Sequence, residues 1–89
     1  MINKQKQIEY WRSSAEDNLE TAVLLIESGK TVEGLFFSHL TIEKLLKALF
    51  VKKTGELAPK SHKLHFLAEK CSIELSEKQK DFFGVLMQY

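Results

Sequence analysis

The chain has 89 residues, of which 44% are hydrophobic and 28% are charged, and its 13 basic and 12 acidic side chains leave a net charge of +1. This length and composition predict one globular domain over residues 1–89 and argue against disorder. The near-neutral balance gives no net electrostatic attraction to nucleic acid or to a membrane, so a charged partner would need a local patch.

The first predicted element is a helix from about Gln5 to Ser28. Gly29 follows directly, and glycine readily adopts the left-handed conformation that closes a helix C-terminus. The apolar residues recur at steps of three and four, so the pattern predicts a long amphipathic helix with one buried stripe. That stripe consists of Ile8, Trp11, Ala15, Leu19, Ala22 and Ile26.

A second helix is predicted from about Thr31 to Lys53, with Gly55 at the position of a C-terminal cap. Two long helices joined by a short turn must run antiparallel. Pro59 lacks a backbone donor and biases Ala58 away from helix, which predicts a loop over residues 55–60. The face of the second helix that we expect to be buried carries Leu35, Phe36, Ile42, Leu45, Leu46, Leu49 and Phe50.

Two shorter helices are predicted after this loop. Ser61 is expected to cap the third, from about His62 to Cys71. Ser76 with Gln79 three residues later matches a capping box, which opens the fourth. Their inner faces are expected to hold Leu64, Leu67, Ala68 and Cys71, and then Phe82, Phe83, Leu86 and Tyr89.

The predicted fold class is all-α, because no stretch shows the alternation of apolar and polar residues that strands require. Short connections between the helices favour an antiparallel up-and-down four-helix bundle. The apolar pattern stops at Tyr89 without a cap or a polar tail, so we expect the bundle to lack a C-terminal helix.

The single cysteine, Cys71, excludes an intrachain disulfide and a zinc site built from several cysteines, and it fits a reducing compartment. It lies on the apolar face of the third helix, where a small core residue is expected rather than a reactive thiol. No apolar run approaches the roughly 20 residues that cross a bilayer, and the polar start does not resemble a signal peptide. We therefore expect a cytoplasmic protein that does not enter the membrane.

The second helix carries the densest polar group on an otherwise apolar element. His39, Glu43 and Lys47 stand four residues apart and project from the same side. Such a row could bind a phosphate or a nucleotide through Lys47 and His39, with Glu43 fixing their orientation. The alternative is an ordinary exposed pair of Glu43 and Lys47, which would contribute little to stability.

His62 is a further candidate for ligand binding. In the first turn of a helix the dipole disfavours its cationic form, and a neutral imidazole can serve as a ligand or a base. The alternative is a capping or packing role. Its spacing from His65 lacks a nearby set of carboxylates, so no metal site is predicted. The isolated glycines and serines also form neither a phosphate-binding loop nor a hydrolase elbow.

Tyr10 and Phe37 point away from the main apolar stripes of the first two helices. They predict a second apolar surface, which either a twin subunit or a segment beyond residue 89 would cover. Both alternatives fit the sequence equally well.

Three stretches of the chain, residues 10–22, 36–49 and 59–64, resemble the HEPN domain family (higher eukaryotes and prokaryotes nucleotide-binding) in order and spacing. The most specific part is the pattern of Glu43, Lys44, Lys47 and Ala48, followed by Lys-Ser-His-Lys-Leu at residues 60–64. The resemblance implies an antiparallel helical bundle that often forms a homodimer. It also implies a small nucleotidyltransferase as partner in a toxin–antitoxin-like pair. The candidate ligand-binding residues are therefore His39, Glu43, Lys44, Lys47 and His62.

Many members of that family are metal-independent ribonucleases, whose signature is an arginine followed four to six residues later by a histidine. The only arginine here is Arg12, and the first histidine is His39, so the signature is absent. We therefore expect a module that binds a partner nucleotidyltransferase and a nucleotide, without a metal or cofactor. The alternative is a ribonuclease acting on RNA, whose site is completed by residues beyond 89 or by a second subunit.

Overall fold

The structure is a computed structural model that describes residues 3–89. It confirms the all-α class and the four helices, and the described residues contain no strand. No helix among them is long and apolar enough to cross a membrane. The helices are α1 at Lys4–Glu27, α2 at Thr31–Thr54, α3 at Leu64–Lys70 and α4 at Glu77–Leu86.

Local sequence signals set most of the helix ends. The Gly29 backbone is left-handed, with φ of 81°, and its N–H donates to the Ile26 carbonyl at 3.1 Å, which closes α1 as predicted. Gly55 is also left-handed and caps α2. The capping box of Ser76 and Gln79 opens α4, because each side chain accepts a hydrogen bond from the other residue's backbone N–H.

The start of α3 differs from the prediction. This helix begins at Leu64. Its N-cap residue is Lys63, whose side chain forms no capping hydrogen bond. Ser61 is therefore not its cap, and its hydroxyl instead accepts from the Lys63 N–H at 3.2 Å, which closes a short turn. His62 lies outside the helix because α2 binds both its backbone and its side chain, as described below.

The second helix, α2, lies at the centre of the fold. One of its sides packs along α1, and α3 and α4 pack elsewhere on it, whereas α1 contacts neither of the two short helices. Leu46 of α2 joins the apolar core formed with Leu64, Leu67, Ala68 and Leu86. Where α2 meets α1 the residues are small: Gly34 approaches the backbone of Ala22, and both are buried.

Several residues that were expected to be buried are exposed. Because α1 has only α2 as a neighbour, only the centre of its stripe, at Ala15 and Ala22, is fully covered. Because α2 has neighbours on different sides, its buried residues do not form the single face that was predicted. The wrongly placed residues, with their exposed fractions, are Leu19 at 52%, Ile26 at 45%, Phe36 at 44%, Leu45 at 49%, Phe82 at 51% and Tyr89 at 39%.

The two aromatic residues assigned to a second apolar surface have different environments. Tyr10 is 60% exposed, as that assignment requires. Phe37 is half-buried and packs edge-on against Phe36, with ring centroids 5.4 Å apart. Tyr10 and Phe36 are therefore exposed, whereas Phe37 is partly covered.

We expect Gly34→Ala and Gly84→Ala to change stability in opposite directions. A Cβ at Gly34 would collide with Cγ1 of Ile26 and lie 3.2 Å from the Ala22 carbonyl oxygen, so overpacking should lower the free energy of unfolding by about 1–3 kcal/mol. A Cβ at Gly84, inside α4, meets nothing within 4 Å. Helix propensity should therefore raise the free energy of unfolding by about 0.5–1 kcal/mol.

Urea denaturation followed by circular dichroism measures both changes. Gly84→Ala is the matched control for helix propensity, since both glycines lie inside helices. Equal stabilisation by the two substitutions would contradict the close packing of α1 against α2.

Candidate functional site

Four of the five candidate ligand-binding residues meet between α2 and the loop that precedes α3. His39, Glu43 and Lys47 are buried, with exposed fractions of 7%, 3% and 6%. The side chain of His62 is 81% exposed. Lys44 is separate from them, because its Nζ donates to the Ser14 hydroxyl of α1 at 2.7 Å. The helical spacing thus brought the row on α2 together, and the loop added His62.

Glu43 is the centre of this cluster, and its two oxygens have different partners. Oε1 accepts from Nδ1 of His62 at 2.9 Å, and Oε2 accepts from Nζ of Lys47 at 3.2 Å. The alternative of an exposed Glu43–Lys47 pair is therefore wrong, since both side chains are at least nine-tenths buried. Removing one partner of a buried ion pair leaves an uncompensated charge and usually costs several kcal/mol.

His39 connects α2 to two other segments of the chain. Its Nδ1 lies 3.0 Å from the carbonyl oxygen of Leu86, at the end of α4, and its Nε2 lies 2.9 Å from the carbonyl oxygen of His62. A carbonyl oxygen only accepts hydrogen bonds, so each ring nitrogen must carry a proton for both contacts to form. Nε2 of His39 also lies 3.7 Å from Oε1 of Glu43.

Lys47 connects the cluster to α1. Its Nζ lies 5.1 Å from the centroid of the Trp11 ring, within the range of a cation–π interaction. The ammonium group is therefore placed between this ring and the Glu43 carboxylate. Trp11 was assigned to the apolar stripe of the first helix and not to a site, so sequence reasoning missed its role here.

His62 presents one free ring nitrogen to the surroundings. Nδ1 donates to Glu43, and among residues 3–89 Nε2 has no hydrogen-bond partner. His62 precedes α3 by two residues, so it does not lie in the first turn of that helix, and the prediction that placed it there is wrong. The buried carboxylate instead fixes the tautomer of the neutral ring, with the proton on Nδ1 and a lone pair on Nε2.

A cavity of about 300 Å³ opens beside the cluster. Two partly exposed aromatic residues, Phe36 and Tyr89, line it together with His62. Such a space suits a flat ring that stacks on aromatic side chains and accepts or donates one hydrogen bond. The lining residues are Phe36, His39, Leu40, Glu43, His62 and Tyr89.

A larger cavity, of about 830 Å³, lies between α3 and α4 and includes His65 but none of the five candidates. The described part of the chain contains no group of three or more His, Cys, Asp or Glu side chains that could hold a metal ion. The cluster around Glu43 therefore remains the candidate site.

Cys71 lies in the core, as predicted. It is 1% exposed, and its Sγ donates to the carbonyl oxygen of Leu46 at 3.3 Å. Burial raises the pKa of the Cys71 thiol above its ordinary value, and the positive charge of Lys53 opposes this effect only in part. The thiol is therefore protonated and poorly reactive at neutral pH.

Comparison with known protein families gives one match, which covers most of the chain. The model of a family described as "HEPN domain" matches residues 8–89, which include α2, α3, α4 and most of α1. No significant match was found among curated proteins or solved structures.

We expect His39→Gln to destabilise the chain far more than His65→Gln. The single amide nitrogen of glutamine can reach only one of the two carbonyl oxygens that face His39, so the other stays buried without a donor, at a cost of about 1–3 kcal/mol. The His65 ring forms one exposed hydrogen-bond contact, of 3.1 Å, with the Lys80 carbonyl and packs edge-on against Phe83. Its replacement should change stability by less than about 0.5 kcal/mol. Urea denaturation measures both, and similar losses would contradict the bridging role of His39.

The buried thiol predicts a loss of stability at alkaline pH. The folded chain retains the Cys71 proton above pH 9.0, the ordinary pKa, whereas the unfolded chain loses it there. The folded state then binds more protons, so the free energy of unfolding falls as pH rises through this range. The decrease between about pH 8 and about pH 10 should be larger for the wild type than for Cys71→Ala, by urea denaturation. Equal decreases would show that the thiol titrates alike in both states.

Proposed function

This chain belongs to the HEPN domain family, and from that premise we propose that it is a helical interaction module that forms a homodimer and binds a partner nucleotidyltransferase. The nucleotidyltransferase and the toxin–antitoxin-like setting follow from the family resemblance. Within this chain, the proposed interaction is supported by an apolar surface that the other helices do not cover. We propose that the complex is cytoplasmic and that residues 1–89 of this chain form a single domain.

The uncovered surface is a stripe along α1. Leu19, Val23 and Ile26 are 52%, 46% and 45% exposed. Their spacing of four and three residues places them on one side of the helix, and α1 has no neighbour within the chain other than α2. A continuous apolar patch of this kind on a small protein indicates a protein–protein contact.

The exposed area of the chain is large for its mass. The accessible surface is 6076 Å², whereas a compact monomer of 10.3 kDa exposes about 5,400 Å². The excess of about 700 Å² indicates that the chain is less compact than an average monomer of its mass. We assign the α1 stripe to contact with a second copy of the chain.

Nucleotide binding is the second part of the proposal, and the cavity beside Glu43 is its site. Phe36 and Tyr89 would stack on the base, and Nε2 of His62 would form the hydrogen bond that orients it. His39, Glu43 and Lys47 would act indirectly, because their polar atoms already bond within the chain. A phosphate bound directly by Lys47 would have to break its contact with Glu43. Lys44 faces α1 and would not reach this ligand.

The alternative function, a metal-independent ribonuclease, has weaker support. Arg12 lies on the exposed side of α1, with its guanidinium 3.9 Å from the Glu16 carboxylate. No histidine stands within six residues of it. Incubation of the chain with RNA in the presence of a chelator tests this function, since cleavage that persists there would favour the enzyme over the binding module.

We expect Leu19→Glu to disrupt the dimer, because it places a charge in the centre of the apolar stripe. Leu24→Glu is the matched control, since Leu24 is 62% exposed but projects from another side of α1. Sedimentation equilibrium should show a dimer for the wild type and Leu24→Glu, and a monomer for Leu19→Glu. All three should keep the same helix content by circular dichroism.

The partner is tested by co-purification of this chain with a candidate nucleotidyltransferase, which should give a complex of fixed stoichiometry. Calorimetric titration of that complex with ATP tests the nucleotide site, and Phe36→Ala should weaken the binding about tenfold. A monomeric wild type that binds neither nucleotidyltransferase nor ATP would overturn the proposal.

A further inference from the structure

Two residues of α2, one helical turn apart, hold His62 in place. Nε2 of His39 donates to the His62 carbonyl at 2.9 Å, and Oε1 of Glu43 accepts from Nδ1 of the His62 ring at 2.9 Å. Both the backbone and the ring of this loop residue are therefore fixed. Its side chain is nevertheless 81% exposed, so a well-oriented imidazole faces the surroundings.

The orientation has a consequence for reactivity. The carboxylate of Glu43 is buried, so water screens its charge poorly, and it contacts the ring nitrogen opposite the free one. When Nε2 attacks an electrophile, the ring becomes positively charged, and that charge develops next to the carboxylate. A carboxylate bound to one imidazole nitrogen in this way raises the basicity of the other. His39 has both ring nitrogens in contact with carbonyl oxygens, and His65 contacts the Lys80 carbonyl, so among the described histidines only His62 has a ring nitrogen bonded to a buried carboxylate.

The charge around His62 favours an anionic electrophile. Residues 57–68 contain Lys60, Lys63, His62 and His65 and no acidic residue. Lys60 and Lys63 are exposed and stand two residues before and one residue after His62 in the sequence. Their field raises the local concentration of small anions, among which activated phosphoryl compounds are electrophiles.

We propose that Nε2 of His62 accepts a phosphoryl group from a small activated donor, with Glu43 as its positioning residue. The lone pair of Nε2 attacks phosphorus, the N–P bond forms, and the bond from phosphorus to the leaving group breaks. The leaving group departs with the electron pair of that bond. The proton on Nδ1 stays in place, and the resulting phosphorylated imidazolium is bound by the Glu43 carboxylate. The reaction requires neither the dimer nor the nucleotidyltransferase.

Phosphoramidate is the probe that tests this reaction. The imidazole of histidine attacks its phosphorus without an enzyme, and the products are phosphohistidine and ammonia. The folded chain and N-acetylhistidine are incubated together with phosphoramidate, and the products are followed by ³¹P NMR and peptide mapping. His62 should react about tenfold faster than the free compound, equivalent to about 1.4 kcal/mol. Exposure alone cannot make a protein side chain faster than the free compound, so a faster rate must come from the charged groups near the ring, which are Glu43 and the two lysines.

Three variants locate the effect. His62→Gln should abolish the fast product, and Glu43→Gln should reduce the rate to that of N-acetylhistidine or below. Lys63→Ala should slow the reaction about twofold to threefold at low salt, whereas Lys78→Ala, its exposed control on α4, should not change it. The monomeric Leu19→Glu chain should react like the wild type, which separates this proposal from the proposed function.

If Glu43→Gln fails to fold, the wild-type rate relative to N-acetylhistidine still decides the question. A rate at His62 equal to or below that of the free compound overturns the proposal, and so does faster phosphorylation of His65.

Discussion

The carboxylate of Glu43 is buried in a chain of only 89 residues, and this one charge determines how several segments are arranged. A carboxylate removed from water is strongly destabilising unless charged or hydrogen-bonding groups surround it. Lys47 supplies one such group from the same helix, and His62 supplies another from the loop before α3. Departure of the loop from α2 would therefore remove the His62 partner from Oε1 of Glu43.

The rest of the polar cluster extends this constraint to each helix. His39 binds the carbonyl oxygen of Leu86, which fixes the end of α4 against α2. Lys47 lies over the ring of Trp11, which brings α1 into contact with the same network. The apolar core around Leu46 and Leu64 supplies most of the burial, but it would tolerate small shifts of the helices. Hydrogen bonds that must all form together allow only one arrangement.

The sequence predicted the features that depend on local chemistry. Periodic apolar residues gave the four helices, and Gly29 and the Ser76 box gave ends that the structure confirms. The start of α3 was wrong because a distant contact, between α2 and His62, overrides the capping preference of Ser61. The exposure of Leu19 and Leu45 was missed for a similar reason. A periodic pattern shows which side of a helix is apolar, but it does not show how many neighbours cover that side.

The candidate site was also predicted only in part. Spacing of four residues placed His39, Glu43 and Lys47 in one row, which the structure retains. Their burial depends on contacts that join residues far apart in sequence, such as His39 with Leu86, and no local signal reports these contacts. Lys44 was grouped with the row by its position in the family pattern. It stands 100° around the helix from Glu43, which directs it to Ser14 of α1 instead.

The chain thus reverses the usual distribution of residues at two places: it buries a glutamate and a lysine, and it exposes leucine and isoleucine on α1. These two departures are connected, because Trp11 belongs to α1 and its ring contacts Lys47, the partner of Glu43. A molecule that covers the α1 stripe would restrict the motion of α1, and therefore of Trp11, relative to α2. Trp11 contacts Lys47, Lys47 pairs with Glu43, and Glu43 accepts from the His62 ring. The contact of Trp11 with Lys47 thus joins α1 to the buried cluster, whereas the reaction proposed at His62 does not depend on whether the α1 stripe is covered.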